Sequence, residues 1–62
     1  MNPIQVNLKD QVELFNGHKG EIDNIDLTTY QFTLKGDFII WFHIRDIKKL
    51  NGTFIDDNLL IF

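Results

Sequence analysis

Val12-Glu13-Leu14-Phe15-Asn16-Gly17-His18-Lys19-Gly20-Glu21-Ile22 reads as two half-buried strands joined by a tight, curled connection. Val12 and Leu14 alternate with Gln11 and Glu13, the period of two that gives a strand one dry face and one wet face. Asn16-Gly17 is the strongest turn signal in the chain, because both residues tolerate positive φ. Gly20 is read as a second such point before the next strand. From Glu21 to Leu27, Ile22 falls on one parity and Ile25 and Leu27 on the other, which predicts a bulge or sharp bend.

Outward from this hairpin the pattern continues. Thr28-Thr29 reads as a weak turn, after which Tyr30, Phe32 and Leu34 alternate with Gln31, Thr33 and Lys35. Gly36-Asp37 breaks that strand. Phe38-Ile39-Ile40-Trp41-Phe42 is apolar at every position, so this strand is expected to be covered on both faces. His43 to Asp46 predicts one helical turn leading to Ile47. Lys48 to Leu50 and Thr53 to Ile55 flank Asn51-Gly52, another two-residue hairpin signal. Asp56-Asp57-Asn58 ends that segment and Leu59-Leu60-Ile61-Phe62 follows. The spacing predicts one all-β domain over residues 1–62, an SH3-like antiparallel barrel or roll of roughly five to seven short strands. Residues 9–50 would form the barrel and 51–62 a C-terminal hairpin extension. The expected core is Val12, Leu14, Ile22, Phe32, Leu34, Phe38, Ile40, Phe42 and Ile47.

At 62 residues, such a core supplies about 3–5 kcal/mol of stability. There is no Cys, so neither a disulfide nor a thiolate metal site can reinforce it. Met1-Asn2-Pro3-Ile4-Gln5 lacks a basic start and a long apolar run, and the expectation is a soluble, cytoplasmic protein with no membrane span. The net charge of −3 is unevenly spread. Lys9 to Asp26 is acidic, whereas Lys35 to Lys49 is mildly basic, with Arg45, Lys48 and Lys49 clustered around Asp46.

Chemistry-bearing patterns are thin. His18 and His43 stand in no metal-ligand spacing, and the threonines lie in no nucleophile motif. Asp23 with Asp26, and Asp56 with Asp57, read as turn formers and solvated charges. Gly17 and Gly20 lead into a strand and not into a helix N-terminus that could hold a phosphate. No enzyme activity, metal or cofactor is expected.

Asp10 to Leu14 followed by Gly17-His18-Lys19-Gly20-Glu21-Ile22-Asp23-Asn24-Ile25-Asp26 resembles a KOW-type hairpin, the motif of SH3-like barrels in translation and transcription proteins. Trp41 to Leu50 is similar to the end of small SH3-like proteins of bacteria and their phages. The resemblance spans about 40 residues, chiefly Gly, Val, Ile and Asp positions that shape a curled hairpin. It implies an SH3-like fold and, as one functional alternative, a nucleic-acid or ribosome-associated factor using Lys19, Arg45, Lys48 and Lys49. The Asn16 to Gly20 loop departs from the lysine-rich family loop: Glu13, Glu21 and Asp23 flank its single Lys and would repel a phosphate backbone.

The favoured expectation is a small binding module for a protein partner. Extended peptides are commonly bound by exposed aromatics on such folds, and the candidate contact residues are Trp41, Tyr30, His43 and Arg45. Trp41 falls on the parity opposite Phe38, Ile40 and Phe42. It is either a surface contact or covered by the C-terminal segment. Leu59, Leu60, Ile61 and Phe62 would be an aggregation hazard as a free edge. They either pair within the chain, packing on Ile39 and Trp41, or add to the same strand of a second copy in a homodimer; the intramolecular solution is favoured because the chain is short of core.

Overall fold

The computed structural model of the protein describes residues 3–55 and 59–62. The expected turn at Asp56-Asp57-Asn58 lies outside the described residues. The molecule is all-β. In chain order the strands are β1 (Ile4–Gln5), β2 (Gln11–Leu14), β3 (Lys19–Asp26), β4 (Gln31–Leu34), β5 (Asp37–His43), β6 (Ile47–Leu50), β7 (Thr53–Phe54) and β8 (Leu60–Ile61), with a 3-10 turn at Ile44–Asp46 between β5 and β6. Six of them form one antiparallel sheet in the order β5-β4-β3-β2-β6-β7, and β1 pairs in parallel with β8. Among the described residues no ladder joins β5 back to β7, so the sheet is a roll with two edges.

Turn chemistry explains the connections. Asn51 (φ 51°) and Gly52 (φ 86°) both occupy the left-handed region, as a two-residue hairpin between β6 and β7 requires. Gly17 (φ 92°) does the same at the β2–β3 turn. Gly20 corrects the expectation: it lies inside β3, opposite Val12, and is not among the positive-φ residues. A Cβ there would sit 3.7 Å from Leu34 in ordinary contact. The turn before β4 is closed by Asp26, whose Oδ1 accepts the Thr28 N–H at 2.8 Å.

Among the described residues three ladder irregularities interrupt the sheet. The bulge expected in β3 is present between Ile22 and Asn24, and it lets Ile25 pack against the core after Ile22. A second, between Glu13 and Leu14, leaves Lys48 surplus in β6: Glu13 faces Lys49 while Leu14 faces Ile47. The third lies in β4–β5. Two steps along β4, from Phe32 to Leu34, are opposed by five along β5, from Phe42 back to Asp37, so three residues of β5 are surplus.

The core holds Val12, Leu14, Ile22, Phe32, Leu34, Phe42 and Ile47 as expected, and adds Val6, Ile44, Leu50 and Leu60. Ile40 does not belong to it. At 42% exposure it faces solvent, because the surplus residues break the alternation that would have turned it inward. The side chain of Phe38 lies outside the description. Thr33 alternates outward in the sequence yet is fully buried, where its Oγ1 accepts from Asn24 Nδ2 at 3.4 Å. The strand expected to be covered on both faces is instead the exposed edge of the sheet.

Candidate functional site

Among the described residues, Ile39-Ile40-Trp41 of β5 is the longest run of exposed large apolar side chains. Phe42 points into the core, so its neighbours Trp41 and His43 share the outer parity. Ile39 is 91% exposed and Trp41 45%. Among the described residues only β4 is hydrogen-bonded to β5, and Ile39-Ile40-Trp41 fall within the stretch where β5 carries three residues more than β4. Contiguous large apolar side chains on an open strand are costly to leave in water and mark contact surfaces.

Backbone bonding places Tyr30 beside the C-terminal end of this strand, where His43 and Arg45 follow Trp41 by two and four residues. Gln31 pairs with His43, and the Tyr30 carbonyl accepts the Ile44 N–H at 2.9 Å. Tyr30 itself is held at φ 57° and stacks on Phe62, with ring centroids 6.4 Å apart. His43 caps the 3-10 turn: its Nδ1 accepts the Arg45 N–H at 3.1 Å and Arg45 Nε–H at 3.3 Å, while Asp46 Oδ2 accepts the His43 N–H at 3.0 Å. With Nδ1 accepting both donors, the ring N–H is at Nε2. Arg45 is thereby anchored beside His43.

The cations of the nucleic-acid alternative divide. Cross-strand register sets Lys19, Glu13, Lys49 and Phe54 in one row across β3, β2, β6 and β7. The β6 bulge adds Lys48 to the same outer side, where it pairs with Glu13 at 3.9 Å. Lys49 Nζ lies 4.7 Å from the Phe54 ring centroid and Lys48 Nζ 5.6 Å. Gln11, Glu13, Lys19, Gly20, Lys49 and Gly52 line a shallow depression of about 320 Å³ there. Arg45 is not in the row. Phe54, 67% exposed, was missed in the sequence; the signal was its place opposite Lys49 across Asn51-Gly52.

Leu60 and Ile61 pair with Ile4 and Gln5 inside the chain. Leu60 is buried, Leu59 half-buried, and Phe62 packs edge-on against Phe32 at 6.3 Å. The C-terminal aromatic therefore rests on Tyr30 and Phe32, not on Ile39 and Trp41, and leaves the indole half in solvent. Among the described residues no three His, Asp or Glu gather as a metal site, and no helix is long and apolar enough to cross a membrane. No family model, curated protein or solved structure matches the chain.

Proposed function

We propose that this chain is a small non-catalytic binding module whose contact surface is the β5 edge, with Trp41 at its centre and Tyr30, His43 and Arg45 at one end. One observation carries the reading: Ile39, Ile40 and Trp41 stand exposed on a strand that nothing flanks on its outer side among the described residues. The SH3-like resemblance supports it, since small barrels and rolls of this kind commonly act as recognition modules. Trp41→Ala removes the largest apolar anchor without touching the core, so the variant should keep its β-type circular dichroism. The test is differential: a protein retained by the wild-type chain and not by folded Trp41→Ala should protect the β5 amides from hydrogen exchange. Loss of folding in Trp41→Ala would assign the indole a structural role, and protection elsewhere would move the surface.

A second reading has its own support in the row Lys19–Glu13–Lys49–Phe54, reinforced by Lys48. Two lysines and an exposed ring suit a single strand of nucleic acid, one by charge and the other by base stacking. Glu13 stands in the middle of that row and opposes it.

A further inference from the structure

The β5 sequence is nearly its own mirror about Ile40. Reading outward from that residue, Ile39 balances Trp41, Phe38 balances Phe42, and Asp37 balances His43. An antiparallel pair of identical strands related by a two-fold axis brings together just those partners: Ile40 meets itself, Ile39 meets Trp41, and each Asp37 meets a His43. The exposed side chains of Ile39 and Trp41 then lie opposite each other, and an acid lies opposite a hydrogen-bond donor at both ends. Because His43 Nδ1 is occupied by Arg45, its Nε2–H is the group left to donate. Lys35 and Arg45 fall beyond the paired stretch, in the turn before β5 and in the 3-10 turn after it.

We infer that two copies of this chain associate through β5, edge to edge and antiparallel, with Ile40 on the two-fold axis and Asp37 of each copy bonded to His43 of the other. The inference rests on the binding-surface reading above and names its occupant as a second copy. It replaces the C-terminal strand as the self-association element, since Leu60–Ile61 already has a partner in β1. The charges supply the direction. A parallel pair would set Asp37 against Asp37, and like charges directly opposite are destabilising.

Sedimentation equilibrium of the full chain over about 1 µM to 1 mM measures the association. Trp41, the single tryptophan, reports it independently through a blue shift of its emission as concentration rises. Trp41→Ala should weaken association about tenfold or more, as loss of a central indole does at interfaces. Asp37→Lys should weaken it about fivefold, and His43→Asp likewise. The double variant D37K/H43D puts opposite charges across the two-fold axis in place of the acid–imidazole hydrogen bond and should recover most of the wild-type association. Asp suits the cap position that His43 fills, so the 3-10 turn survives that exchange. If Trp41→Ala does not fold, the charge exchange carries the test alone. A monomeric mass at every concentration would overturn the dimer, as would a double variant no better than its parents. A monomer whose β5 amides are protected by another protein would sink the dimer and leave the binding-surface reading standing; a monomer with no such protection would sink both.

Discussion

Gly20 and Gly52 carry the same letter in the sequence and opposite physics in the fold. Gly52 holds φ 86°, which an L side chain adopts only under strain. Gly20 holds ordinary strand geometry, with ordinary contact distance to Leu34. Gly52→Ala is therefore expected to cost about 1 kcal/mol and Gly20→Ala to stabilise by about 0.5 kcal/mol, the latter by narrowing the unfolded ensemble. In a domain of this size these changes move Tm by several degrees in opposite directions, and thermal denaturation followed by circular dichroism reads both. Equal losses would place Gly20 in the left-handed region after all. Asn51-Gly52 was legible because turn residues announce backbone angles directly. Gly20 was not: a glycine flanked by turn signals looks the same whether it bends the chain or lies flat beneath a leucine.

Among the elements, β2, β3, the 3-10 turn and the β6–β7 hairpin follow from alternation and turn chemistry. β1 and β8 do not, because two-residue parallel strands that join distant parts of the chain leave no local period. β5 was legible as a strand and illegible as an edge. Its unbroken apolar run signals burial on both faces, and the three surplus residues between Asp37 and Phe42 have no turn residue to announce them. The β1–β8 pair yields a prediction of its own. Leu60 is buried with Val6, and the Val6 N–H donates to the Ile61 carbonyl at 2.7 Å. Leu60→Ala should cost about 2–3 kcal/mol for the lost burial and the cavity, most of what a core this small supplies. Tm should then fall by roughly 10–20 °C. A shift of only a degree or two would show that β8 is not seated on the core, and would return the C-terminal residues to the role of a free strand.

Across the whole molecule, charge is sorted by the sheet more than by the chain. The acidic β2–β3 hairpin and the basic stretch near residue 48 look separate in sequence, yet register interleaves them, so that Glu13 lies between Lys19 and Lys49 and pairs with Lys48. The candidate cations were legible individually; their grouping was not, because it depends on a one-residue bulge that turns Lys48 and Lys49 to the same side. This arrangement sets the electrostatic behaviour of the second reading. Three lysines against single-stranded nucleic acid give a slope of about −2 in log affinity against log salt, a loss of about twentyfold between 50 and 200 mM. With Glu13 among them, binding of a fluorescent oligonucleotide is expected to be detectable only at the low-salt end, and Glu13→Gln should strengthen it. Anisotropy titrations of the wild type, Glu13→Gln and K19E/K49E separate the cases. Salt-insensitive binding would mean that a surface other than this row is responsible. Binding unchanged in K19E/K49E would remove the lysines from any such role.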